Sequence, residues 1–135
     1  MATNESLLIV EEDTDLLDLL VRNFTRRGYS VTGVRHPRQA LAASNVYQYR
    51  VAVVDYSLHE TDGIQLMKML QRTTADLRVV ILSECLETVS RNEALQGGAR
   101  DYLPRTCPFE QIEGVVEAAM DKPPSGTSAP PTLPR

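Results

Sequence analysis

An open α/β sheet with parallel strands is the fold this sequence predicts, and three observations carry that reading. Three apolar runs, Leu7-Leu8-Ile9-Val10, Val51-Ala52-Val53-Val54 and Val79-Val80-Ile81-Leu82, are each four residues long and do not alternate with polar residues. Short, continuous, β-branched runs suit strands covered on both faces. Helical patterns lie between them, and strands alternating with helices imply right-handed crossovers with helices on both faces of the sheet. The chain has 135 residues, 42% hydrophobic and 24% charged, the size and balance of one globular domain.

After the first run, Leu16, Leu17, Leu20 and Phe24 form an apolar stripe that ends at Arg26-Arg27-Gly28. Cations in the last turn followed by glycine are a helix stop. Tyr29 to Val34 reads as a weaker strand, and Pro37 opens a short helix through Ala40 and Leu41. Ile64, Leu66, Met67 and Leu70 give a third helix behind Asp62-Gly63, and Leu86 to Gln96 a fourth, closed by Gly97-Gly98. A last strand spans Asp101 to Leu103, and Pro108 begins a fifth helix carrying Ile112, Val115, Val116, Ala119 and Met120. The folded domain is expected over residues 1–121. Residues 122–135, KPPSGTSAPPTLPR, contain five prolines and no usable apolar face, so they read as a disordered tail or linker.

Several function classes fall away on composition. A net charge of −4 disfavours nucleic-acid binding by this domain. No apolar run approaches the roughly 18 residues of a membrane span, and MATNES lacks the basic and apolar regions of a secretory signal, so a cytoplasmic location is expected. Cys85 and Cys107 form no metal-spacing pattern and read as free thiols. His36 has no second ligand at metal spacing, which favours a plain surface role, and Tyr47 and Tyr49 read as packing residues at the entry to the third strand. No glycine-rich loop follows the first strand, which argues against dinucleotide binding.

In open α/β sheets the ligand site lies beyond the carboxyl ends of the strands. Here those ends are Glu11-Glu12-Asp13, Asp55-Tyr56-Ser57, Ser83-Glu84-Cys85 and Pro104-Arg105-Thr106. Glu11, Glu12 and Asp55 crowd three carboxylates that repel unless a hard cation neutralises them, and Mg²⁺ suits such oxygen ligands. Asp13 and Asp15 instead suit the positive start of the first helix.

The segments LLIVEED, VAVVDYSLHETDGIQLMKML, VVILSE and GARDYLPR, in this order and spacing, resemble the receiver domains of two-component response regulators over roughly residues 6 to 120. The resemblance implies a five-stranded sheet of order 2-1-3-4-5, flavodoxin-like and CheY-like. It implies that Asp55 accepts a phosphoryl group from a histidine kinase or phosphotransfer protein, with Mg²⁺ held by Glu12, Asp55, the Ser57 carbonyl and, through water, Glu11. Ser83 and Arg105 would contact the phosphoryl group, and Tyr102 would turn inward as Ser83 is drawn toward it. The family docks through its fourth helix, fifth strand and fifth helix, which makes a homodimer there an expectation, alongside a fused or separate output partner. The only chemistry implied is self-phosphorylation and self-dephosphorylation. A phosphohydrolase acting on small molecules would want a second carboxylate two residues after Asp55, where Ser57 stands.

Five places depart from the family's pattern. Glu12 replaces an aspartate and reaches about 1.5 Å further. Arg105 replaces a lysine, and its planar fork is no compact ammonium. Glu84 places a bulky anion where a small residue is usual, obstructing the donor or repelling the phosphate. His59 replaces a proline, and Thr106 and Cys107 lengthen the turn before the last helix. These departures give the alternative reading, a pseudo-receiver that binds partners without phosphorylation.

Overall fold

Every residue of the third strand, Val51–Asp55, is buried, and that strand lies at the middle of the sheet. The computed structural model describes residues 5–84 and 88–121. Its elements are β1 (Ser6–Val10), α1 (Thr14–Arg26), β2 (Ser30–Val34), α2 (Pro37–Val46), β3 (Val51–Asp55), α3 (Gly63–Thr73), β4 (Arg78–Ser83), α4 (Thr88–Gln96), β5 (Asp101–Pro104) and α5 (Phe109–Asp121). The five strands are parallel in the order β2-β1-β3-β4-β5, as expected. The expected start of the fourth helix, together with Cys85, falls on residues 85–87, and the tail on residues 122–135; both lie outside the described residues.

Alternate strand residues feed two separate cores, because successive side chains in a strand point to opposite faces. Leu8, Val10, Ala52, Val54, Val79 and Ile81 meet Ile64, Met67 and Leu70 of α3 on one side. Leu7, Ile9, Val53, Val80 and Leu82 meet Leu17, Leu20 and Phe24 of α1 and Ile112 and Val116 of α5 on the other. β2 is an edge strand and has no fully buried residue, which explains its faint apolar signal.

Helix ends follow local chemistry. Asp13 caps α1 by accepting from the N–H groups of Asp15 (3.0 Å) and Leu16 (3.2 Å). Gly28, at φ +97°, takes the left-handed turn after α1. Pro37 sits in the first turn of α2 behind the exposed His36, and Asp62 caps α3 through Gln65 N–H at 2.8 Å. Tyr49 packs inward as expected, but Tyr47 does not: its side chain is exposed, because Tyr47 is the residue that ends α2 and turns outward. Among the described residues no helix is long and apolar enough to cross a membrane.

Candidate functional site

The carboxyl edge of the sheet is built by a ladder that runs one residue past each strand. Glu11 N–H donates to the Val34 carbonyl (3.1 Å), Tyr56 N–H to Leu82 (2.7 Å) and Arg105 N–H to Ser83 (2.9 Å). Those bonds hold Glu11, Asp55, Ser83 and Arg105 on one rim. Glu11, Asp55 and Ser83 are buried polar groups, exposed by only 1%, 3% and 2%. Behind Asp55 the chain turns tightly into α3: Gly63 N–H donates to the Tyr56 carbonyl (2.8 Å), and Ser57 bridges to Asp62. A Cβ on Gly63 would stand 2.6 Å from the Asp55 carbonyl oxygen, so only glycine fits there.

Asp55 Oδ1 accepts from Ser57 N–H at 3.2 Å. Glu11 Oε2 accepts from Asp13 N–H at 3.1 Å and from Arg105 Nη2 at 3.3 Å. Its other oxygen, Oε1, is buried with no hydrogen-bond partner among the described residues. Burial, then the hydrogen bond and charge of Asp55, push the Glu11 carboxyl up to about 8, against the pull of Asp13 N–H and Arg105. Burial also raises Asp55, while Glu11, Ser57 N–H and Arg105 oppose the rise. Two carboxyl groups buried together and short of one charge are the setting in which a divalent cation replaces a proton.

Arg105 is 16% exposed at its side chain and already bound to three carboxylates. Nη1 reaches Glu84 Oε2 at 2.9 Å, and Nη2 reaches Glu11 at 3.3 Å and Asp13 Oδ2 at 3.2 Å. Asp13 thus serves Arg105 as well as the helix start expected for it. Glu84, expected to repel or obstruct, pairs with the site's cation. Glu12 is turned toward the loop after β3, where its Oε2 accepts from His59 N–H at 2.6 Å and its Oε1 lies 3.7 Å from His59 Nδ1. Proline has no N–H, so the glutamate at 12 and the histidine at 59 are matched departures. The rim therefore brings together Glu11, Asp55, Ser83 and Arg105, and leaves Glu12 committed elsewhere.

The Tyr102 ring is buried, with its centroid 6.3 Å from that of Tyr56 in an edge-to-face arrangement. Sequence reasoning missed Tyr56 as its partner, although an aromatic residue directly after the strand-end aspartate was a usable signal. It also missed Arg35, whose Nε and Nη2 donate to the Glu12 carbonyl at 3.3 Å. Cys107 is a half-buried free thiol, and burial pushes its pKa up, away from reactivity. Among the described residues no three His, Cys, Asp or Glu side chains are grouped to hold a metal unaided.

A five-stranded parallel sheet of this order, with a buried aspartate, a hydroxyl and a cation on its carboxyl rim, defines a phosphoryl-switch class of signalling domain. The chain belongs to the response regulator receiver domain family, whose model matches residues 7–117. Among curated relatives it is similar to PetR of Rhodobacter capsulatus, 32% identical over 132 residues, covering 96% of this chain and 54% of PetR. It is 30% identical to the transcriptional regulatory protein TcrA of Mycobacterium tuberculosis, covering 94% of this chain and 49% of TcrA. The DNA-binding transcriptional regulator NtrC of Proteus hauseri is 28% identical, with 83% of this chain but 24% of NtrC covered. The chain thus spans between about a quarter and about half the length of these relatives. Among solved structures, the receiver domain of Francisella response regulator 1452 superposes with a TM-score of 0.80 at 26% identity, covering 87% of this chain and 97% of that one. A Burkholderia pseudomallei response regulator, solved with a phosphorylated aspartic acid, a calcium ion and citrate, shares the fold at a TM-score of 0.78 and 23% identity, covering 83% of this chain and 66% of that one.

Proposed function

We propose that Asp55 is the phosphoacceptor of this receiver domain, taking a phosphoryl group from a histidine kinase or a phosphotransfer protein. The observation that carries the reading is the burial of Asp55 against Glu11 within reach of the Arg105 charge, at the end of the central strand. An Asp55 carboxylate oxygen attacks phosphorus as the P–N bond of the phosphohistidine breaks; the leaving imidazole keeps the electron pair and takes up a proton. The product is an acyl phosphate. Such transfer demands positioning and neutralisation of spreading charge more than covalent help. Ser83 offers a hydroxyl to one phosphoryl oxygen, and Arg105 exchanges its carboxylate partners for another.

Glu11, Asp55 and the Ser57 carbonyl would hold a divalent cation, Mg²⁺ by preference, with Glu12 joining once His59 releases it. The orphaned Glu11 Oε1 and the raised pKa of its carboxyl fit that role, and a bound cation would supply charge neutralisation at the phosphoryl oxygens. The calcium ion and phosphorylated aspartic acid of the Burkholderia protein support the same reading. An output partner, fused or separate, and a homodimer through the α4–β5–α5 face complete the proposed signalling role, located in the cytoplasm.

Incubation with Mg²⁺ and acetyl phosphate, followed by intact mass, tests the switch. One added phosphoryl group, absent in Asp55→Asn, supports it. The pseudo-receiver reading is favoured by one observation, that both terminal nitrogens of Arg105 are already paired with Glu11, Asp13 and Glu84. No added mass together with no Mg²⁺ binding would establish it. Light scattering with and without phosphodonor tests the homodimer, and a monomer in both states rules it out.

A further inference from the structure

The acidic pair at the end of β1 is held by two arginines in different ways. Arg105 takes the Glu11 side chain, with Nη2 at 3.3 Å from Oε2. Arg35, just past the end of β2, takes the backbone: its Nε and Nη2 both donate to the Glu12 carbonyl, each at 3.3 Å. That carbonyl needs an outside donor. Inside a helix the N–H of residue i pairs with the carbonyl of residue i−4, which would send Leu16 N–H to Glu12. Leu16 N–H is taken instead by the Asp13 carboxylate at 3.2 Å, as part of the α1 cap. Leu17 N–H bonds the Asp13 carbonyl at 2.9 Å, so the Glu12 carbonyl stands one residue outside the helical ladder. Arg35 is anchored in turn: its own N–H donates to Gln39 Oε1 at 3.2 Å, and Gln39 lies in the first turn of α2.

The fork bears on where Glu12 can put its carboxylate. That side chain accepts from His59 N–H at 2.6 Å, and on the proposed metal reading it leaves this donor to join a divalent cation. With the carbonyl clamped, the swing is confined to side-chain torsions. The root of the arm stays fixed against the end of β2, which also holds the neighbouring Glu11 N–H through the Val34 carbonyl at 3.1 Å. Mg²⁺ rewards a fixed root, because its octahedral bonds of about 2.0–2.1 Å tolerate little error in ligand placement. Ca²⁺ coordinates flexibly and rewards it less. Groups that orient a metal ligand from behind commonly govern about 10–100-fold of the metal's affinity.

We propose that Arg35 is a positioning residue of the divalent-cation site, whose fork on the Glu12 carbonyl sets the reach of the Glu12 carboxylate and so favours Mg²⁺ over larger cations. The proposal rests on the reading of Glu12 as a ligand. It adds a residue from β2–α2, a part of the chain that contributes no group to the phosphoryl rim.

Calorimetric titrations of the full chain with Mg²⁺ and, separately, with Ca²⁺ test it on the parent, Arg35→Met and Arg35→Lys. Methionine removes the fork; lysine keeps the charge but offers a single point donor. Arg35 is exposed, so neither change disturbs a core. Arg35→Met should weaken Mg²⁺ about tenfold, the low end for such a group because its bonds are long and exposed. It should weaken Ca²⁺ about threefold or less, and Arg35→Lys should fall between parent and Arg35→Met for Mg²⁺. In metal-free Arg35→Met the amide of Asp13, which shares a peptide group with the Glu12 carbonyl, should shift in the NMR spectrum. Unchanged Mg²⁺ affinity in Arg35→Met overturns the proposal. Tighter Mg²⁺ binding also overturns it, since the arginine would then act only as a charge repelling the ion. Equal losses for Mg²⁺ and Ca²⁺ count against it as well, because general loosening of the loop gives that result. A parent protein that binds neither cation sinks the metal reading and the proposal together, whereas a parent that binds Mg²⁺ no better than Arg35→Met sinks the proposal alone.

Discussion

Replacing Gly63 by alanine tests whether the turn behind Asp55 is as tightly built as its geometry says. The new Cβ would lie 2.6 Å from the Asp55 carbonyl oxygen and 3.0 Å from Tyr56 Cα, where ordinary contact begins at 3.4 Å. Backbone must therefore yield by about 0.8 Å, at the last residue of the central strand and the residue that follows it. Overpacking of this kind costs about 1–3 kcal/mol. Alanine's better helix propensity in the first turn of α3 returns up to about 1 kcal/mol. The net loss of about 1–2 kcal/mol lowers the melting temperature by roughly 3–10 °C for a chain of this size. Displacement of the nucleophile by most of an ångström should also slow acetyl phosphate labelling of Asp55 by up to about a hundredfold. Gly114→Ala is the control, because nothing lies within 4 Å of its Cβ; it should be neutral or stabilising by up to about 1 kcal/mol. Thermal melts and labelling rates of both variants decide the matter. A Gly63→Ala protein that melts and labels like the parent would refute the reasoning.

Three other outcomes follow from the rim. The Glu11 carboxyl, at about 8 when folded against an ordinary 4.5, binds its proton more tightly in the folded state. Its stabilisation is therefore complete below pH 4.5 and is lost as pH rises to about 8, on the order of a few kcal/mol; melts in EDTA should fall across that window, Mg²⁺ should restore stability more at pH 8 than at pH 6, and a flat profile contradicts the assignment. Glu84→Ala removes an exposed partner of Arg105, so labelling by acetyl phosphate should quicken about two- to fivefold at low salt and less at high salt, whereas slower labelling in the variant sinks the idea that Glu84 competes for the cation. His59→Pro deletes the N–H that holds Glu12 and should raise Mg²⁺ affinity about tenfold by calorimetry, while His59→Ala, which keeps that N–H, should not; equal affinities would show that Glu12 is no ligand.

The strands that carry the sheet were legible because burial on both faces leaves an uninterrupted apolar run, as in Val51–Val54. The edge strand β2 was faint because half of its surface meets water. Asp55 and Ser83 were legible for the same reason, each directly following such a run. What the sequence did not disclose were pairings between loops distant in the chain. Glu84 and Arg105 are 21 residues apart, and Glu12 and His59 are 47 apart; no periodicity links them, so Glu84 read as an obstacle and His59 as a missing proline.

The division of the interior into two cores has a consequence for how such a molecule can change. Tyr102 and its companion Tyr56 belong with the side covered by α2, α3 and α4; the side covered by α1 and α5 includes neither ring. The sheet is a bulkhead between them, and on the proposed switch a rearrangement of the two rings would be felt first by the side packed under α2, α3 and α4.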